Sequence, residues 1–143
     1  MGDSLPTGTP HTSSALDLGP FWEAQHQNRL VLPQCIVCTT WHFPPKPICP
    51  SCSVGTMDWA EVSGKGTLYS LMIGHPRATA INAEPSVIAV VELAEGTRMM
   101  AELVGIEPNA PSLKVGMSLR AAFSSENDGG GGMPLKFRPD VRQ

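Results

Sequence analysis

Apolar and polar residues alternate in three different ways along this chain, and each way predicts a different structure. Residues 1–16 set few large apolar side chains among Gly, Pro, Ser and Thr, which predicts a disordered tail. From Gly19-Pro20 the spacing turns helical: Leu18, Phe21 and Trp22 fall at i, i+3 and i+4. Pro20 suits a first turn that needs no N–H, and Glu23 reads as a first-turn acid. The helix belongs to a segment spanning 17–31 and ends near Asn28-Arg29. A helix this short is unstable alone, so Phe21 and Trp22 must dock, on the body of the protein or on a partner chain.

Leu30-Val31-Leu32 then reads as a strand entering a proline-dense stretch, 32–58, in which no apolar period is sustained. From Trp59 the pattern is that of strands. Thr67 to Ile73 is the first, and Ser86 to Leu93 holds the continuous run Val87 to Val91, as suits a strand covered on both faces. Arg98 to Val104 is the third. Met117, Leu119, Ala121 and Phe123 alternate with polar or small residues in a half-buried strand, and Leu135 to Arg138 is the last. Five antiparallel strands over 59–143 predict a small, partly open barrel of the OB type, with a small sandwich as the competing architecture.

Composition narrows the function more than the fold. Fourteen Gly and fourteen Pro fit a turn-rich, strand-rich chain. A net charge of −3 with ten scattered Lys and Arg argues against nucleic acid, which requires clustered cations. No run approaches the ~18 apolar residues of a membrane span. Without an apolar signal segment at the start, the cysteines are expected to be reduced and the protein cytoplasmic.

The chemistry concentrates in the cysteines, Cys35-Ile-Val-Cys38 and Cys49-Pro-Ser-Cys52, which are all the chain has. Two C-x-x-C pairs a short hairpin apart bring four thiolates to one tetrahedral ion, a closed site with no open position for water or substrate. Zinc is the reading adopted; a rubredoxin-type iron site uses the same four sulfurs. Thr39 and Ser53 stand where a glycine often follows the second cysteine, which leaves the knuckle geometry open. His42 is a spare candidate ligand, or a packing residue beside an already saturated ion. Trp41 and Phe43 either pack over the sulfurs or face outward to a partner.

In order, Phe21-Trp22-Glu23, Arg29-Leu30, Cys35-x-x-Cys38, Pro44-Pro45 and Cys49-Pro-x-Cys52 resemble the domain of unknown function 35 family. Gly64-x-Gly66-Thr67-Leu68-Tyr69-Ser70, His75-Pro76, Val90-Val91-Glu92-Leu93, Gly116-Met117 and Pro134-x-x-Phe137-Arg138-Pro139 continue it to about residue 140. The resemblance implies a mainly β fold: a short N-terminal helix, a rubredoxin-like zinc ribbon over 32–58 and a five-stranded OB-fold barrel. It also implies a structural zinc and a role as accessory subunit in acyl-CoA metabolism. The partner would be a thiolase-like lyase, such as a retro-aldolase of steroid or bile-acid side chains, or else a hotdog-fold enoyl-CoA hydratase or a thiolase–synthase assembly. Catalysis would then lie on another polypeptide, and the OB-fold or its loops would help hold the CoA.

The residues fit that division of labour. No G-x-S-x-G, H-E-x-x-H or phosphate loop is present, and Gly64-Lys65-Gly66 leads into a strand, so it reads as a turn. His75 and Arg77, just after the first barrel strand, are the candidate CoA-binding residues; a solvated loop is the alternative. Phe21, Trp22, Trp41 and Phe43 are the candidate partner interface. A small acyl-CoA hydrolase using His75 and a nucleic-acid-binding OB protein are the remaining alternatives.

Overall fold

The computed structural model describes residues 18–77, 84–123 and 135–140. Helix α1 (Gly19–His26) precedes a two-stranded antiparallel sheet of β1 (Val31–Cys35) and β2 (Met57–Glu61). Then β3 (Lys65–Gly74), β4 (Ser86–Leu93), β5 (Arg98–Leu103), β6 (Ser118–Ala122) and β7 (Lys136–Pro139) close a barrel in the order β3-β4-β5-β7-β6. The five-stranded barrel expected from the sequence therefore forms, and the sandwich alternative falls. The tail 1–16, most of the loop after His75 and the glycines 129–132 lie outside the described residues.

Helix α1 starts without a side-chain cap, with Pro20 in its first turn where no N–H is needed. Glu23 lies beyond that turn, so the predicted first-turn acid is absent. At the other end Asn28 takes φ 57°, the left-handed conformation that Asn tolerates. Its N–H donates to Gln25 O at 3.1 Å, and the N–H of Arg29 donates to Ala24 O at 2.9 Å, the paired bonds of a Schellman stop. Phe21 and Ala24 form the buried side of the helix, and Phe21 is 2% exposed.

The β1–β2 ladder runs from Val31↔Glu61 to Cys35↔Met57. Thus Trp59, where the sequence reading starts the barrel, pairs with Pro33 of β1, and the barrel's first strand begins at Lys65. The connection is pinned on both sides. Val62 N–H donates to Leu30 O at 2.9 Å, Ser63 N–H to Glu95 Oε1 at 2.8 Å, and Ala121 N–H to Gly64 O at 2.7 Å. Leu30, Leu32, Val62 and Phe21 join the barrel's Leu68, Val91, Leu119 and Phe137 in one apolar cluster. The ribbon and the barrel therefore share a core.

Two features of the barrel differ from expectation. It is closed, and β5 and β7 pair in parallel through Glu102↔Lys136 and Leu103↔Phe137, so the strands are not all antiparallel. Burial on β4 alternates strictly: Val87, Ala89, Val91 and Leu93 are buried, while Ile88 and Val90 on the outer face are half-buried. The continuous apolar run reflects the strand preference of β-branched residues, and on the outer face Ile88 and Val90 meet cross-strand neighbours. Those neighbours are Met72 opposite Ile88 and Met100 opposite Val90.

Candidate metal centre

Each cysteine pair sits in a tight turn that aims backbone amides at sulfur. Cys35 O accepts from Thr39 N–H at 3.0 Å, and Cys49 O accepts from Ser53 N–H at 2.9 Å. Amides of Val37 and Cys38 point at Cys35 Sγ, and that of Gly55 at Cys52 Sγ, each at 3.4 Å. Thr39 and Ser53, standing in the usual glycine positions, both take φ 63°. A left-handed conformation costs a β-branched residue about 1–3 kcal/mol. The Thr39 hydroxyl, donating to Cys38 O at 2.6 Å, is one bond that offsets it.

The four sulfurs converge. Cys35 and Cys52 Sγ are 3.6 Å apart, Cys38 and Cys49 Sγ 3.5 Å, and all four lie within 4.8 Å of one another. Tetrahedral zinc with bonds of about 2.3 Å needs sulfurs about 3.8 Å apart, so the set fits that ion. Cys35 and Cys49 are buried, Cys38 and Cys52 half-buried.

Their electrostatics differ. The Cys38 thiol is held down to about 6 from the ordinary 9.0, by the Thr40 hydroxyl 3.2 Å away and then by the Thr40 backbone. Cys52 is lowered by the amides of Val54 and Gly55, whereas burial pushes Cys49 up. A cation placed among them would reverse the penalty on Cys49. His42 is not one of the convergent group; its Nε2 lies 3.4 Å from Cys49 Sγ and 3.4 Å from Ser51 Oγ, beside a ligand.

Sequence reasoning missed Gly55. A Cβ there would run into Cys35 Sγ and lie 3.2 Å from Val37 Cβ. Its carbonyl also accepts from Cys49 N–H at 2.8 Å. The only signal for it in the sequence is a glycine three residues after Cys52.

The aromatic candidates are unequal. Phe21 is packed inside, its ring 5.3 Å from that of Phe43 and edge-on to that of Trp22 at 5.5 Å. It has no surface to offer a partner, because the helix cannot dock without it. Trp41 and Phe43 are half-buried against the core, and Trp22 is 44% exposed. His75 lines a cleft of about 640 Å³ with Ile73, Glu84, Pro85, Glu107 and Asn109. Arg77 is exposed and does not line it, so the structure does not bring the pair into one pocket. Among the described residues no helix is long and apolar enough to cross a membrane.

Comparison with known proteins follows this division of the chain. Residues 22–58 match the model of the ChsH2 rubredoxin-like zinc ribbon domain, and residues 59–124 that of the ChsH2 C-terminal OB-fold domain. A probable enoyl-CoA hydratase alpha subunit of Thermomonospora curvata is 40% identical over 126 residues, 86% of this chain. The chain spans only 38% of that relative's length. A DUF35 domain-containing scaffold protein of Methanocaldococcus jannaschii is 33% identical over 112 residues, 74% of this chain and 78% of its own. The solved structure of an Ltp2-ChsH2(DUF35) aldolase superposes with a TM-score of 0.70 at 35% identity, covering 93% of this chain and 100% of that one. Ribbon, barrel and relatives agree: this chain belongs to the DUF35 family, in its ChsH2-type form of zinc ribbon followed by OB-fold.

Proposed function

We propose that this chain is the non-catalytic accessory subunit of a thiolase-like acyl-CoA lyase, a retro-aldolase of the steroid or bile-acid side-chain type. The observation that carries the reading is its match, over the full length of that chain, to the DUF35 component of an Ltp2-ChsH2 aldolase. The closed four-sulfur centre supports it, since such a site holds structure and offers no coordination position for substrate. A hydratase complex is the second reading, favoured by the name of the Thermomonospora relative.

In this reading four ribbon residues, Cys35, Cys38, Cys49 and Cys52, hold the zinc, whose part is to fold the ribbon. Reduced thiols of this kind belong to a reducing, cytoplasmic compartment. The lip of the barrel after β3 meets the acyl-CoA, with His75 in the cleft and Arg77 exposed outside its lining. Glu84 and Glu107 share that cleft, so it suits an amide-bearing pantetheine arm better than a phosphate. Trp22 and the half-buried faces of Trp41 and Phe43 are the aromatic surface left for the enzyme subunit.

The test is co-expression with a thiolase-like subunit, followed by gel filtration and an acyl-CoA cleavage assay. One stable complex whose cleavage rate depends on this chain is the expected result. Two separate monomers and a rate indifferent to this chain would remove the proposal. Acyl-CoA turnover by the chain alone, lost in His75→Ala, would replace it with the hydrolase reading.

A further inference from the structure

Where β3, β6 and β7 run side by side, the register sets cations opposite one another. Lys65 of β3 pairs with Arg120 of β6, and Arg120 pairs with Arg138 of β7. Leu119 and Phe137, their neighbours in sequence, point into the core at 0% exposure, so the three cations form a row on the outer wall. Strands lie about 4.8 Å apart, which makes the row about 10 Å long.

Like charges directly opposite on a sheet are unfavourable, and here two such pairs adjoin. Among the described residues no carboxylate is ion-paired to any of the three. The ion pairs among those residues are Arg29–Glu61 and Arg98–Glu92, and neither includes Lys65, Arg120 or Arg138. Folding does not ask for cations there, because any exposed strand residue would satisfy the alternation. On a chain of net charge −3 the row is a local inversion of sign.

We infer that the Lys65–Arg120–Arg138 row is a docking surface for an acidic segment of the enzyme subunit. The inference rests on the accessory role proposed above. A protein partner is favoured over a phosphate ligand by the shape and the rim of the surface. The cations are strung along a line instead of converging on one point. Beside them a groove of about 330 Å³ reaches toward the ribbon, lined by Lys65 and Arg120, by the Arg29–Glu61 ion pair and by Asp140. The Asp140 carboxylate at that rim is adverse to a polyphosphate, whereas a protein surface can meet both it and the Arg29–Glu61 pair with charges of its own. Such a mixed pattern fixes orientation between two proteins.

The experiment titrates the full chain with its co-expressed thiolase-like subunit at about 50 and about 300 mM NaCl, a range over which screening grows markedly. Wild-type affinity is expected to fall about tenfold with the added salt. Arg120→Glu should weaken binding at least about tenfold, and Lys114→Glu, an equal charge change elsewhere on the surface, less than about twofold. The melting temperature of Arg120→Glu alone should be no lower than wild type, because the substitution relieves the repulsion. If Arg120→Glu binds as wild type and the complex ignores salt, the docking inference is wrong and the accessory role stands. If wild type forms no complex, both fall. Retention of wild type on single-stranded DNA or inorganic polyphosphate, lost in Arg120→Glu while enzyme binding persists, would overturn the inference in favour of a polyanion site.

Discussion

Gly55→Ala tests whether the ribbon's backbone is built around the metal. The added methyl would run into Cys35 Sγ and press on Val37 at 3.2 and 3.3 Å. Ordinary carbon contacts begin at about 3.5 Å, so one of the two groups must move. The backbone of Gly55 is tethered, its N–H to Cys52 Sγ and its carbonyl to Cys49 N–H, which leaves the Cys35 side chain to yield. Structural zinc sites bind with about 10–16 kcal/mol, so an equal share for one of four ligands is about 2.5–4 kcal/mol. At about 1.4 kcal/mol per decade, zinc affinity should fall roughly a hundred- to a thousand-fold. Chelator competition measures this directly. Loss of the tetrahedral absorption of the cobalt-substituted protein would show that the ligand set itself has changed. A Gly55→Ala protein that binds one zinc per chain with wild-type affinity would refute the packing argument.

Other substitutions separate the parts of the molecule. Gly66→Ala would set a Cβ 2.6 Å from Val91 Cγ1 and 2.8 Å from Glu92 O; overpacking of this kind should cost about 1–3 kcal/mol in a denaturant melt and leave zinc content unchanged. Phe21→Ala should cost about 3–5 kcal/mol because the ring is buried, whereas Trp22→Ala should change stability little and weaken complex formation with the enzyme subunit. In metal-free protein, Cys38 should alkylate first, with a midpoint near pH 6, and Thr40→Val should move that midpoint toward 9.0. The sign follows from the depressed value: this thiolate's contribution to folding is full above pH 9.0 and is lost as the pH falls toward about 6.

The metal ligands and most barrel strands were legible in the sequence because each rests on local information. The C-x-x-C pairs announce their own turns, and the predicted strand Ser86 to Leu93 coincides with β4. What escaped depends on pairing between distant residues. Met57–Glu61 has no fully buried position, and only its ladder with β1 makes it a strand of the ribbon. The parallel contact of β5 with β7 joins segments far apart in sequence and leaves no periodic mark. Phe21 read equally well as an anchor inside or outside the chain, since its spacing says that it docks but not on what. Arg120 looked like one scattered cation among ten until the register set it between Lys65 and Arg138.

Cys35 and Met57 face each other on the last rung of the β1–β2 ladder, and Ile36 N–H bonds to Thr56 O at 3.0 Å just beyond it. The chain thus leaves and re-enters the sheet at neighbouring points; three of the four cysteines lie within that excursion and Cys35 stands on the rung where it begins. Strand neighbours of this kind are about 5 Å apart at Cα, a gap that any antiparallel hairpin offers. Residues 36–56 together with Cys35 are therefore a graftable insert. Joined at two adjacent rungs of an unrelated hairpin, with apolar replacements for the floor that Phe21 provides to Phe43, they should carry their metal site with them.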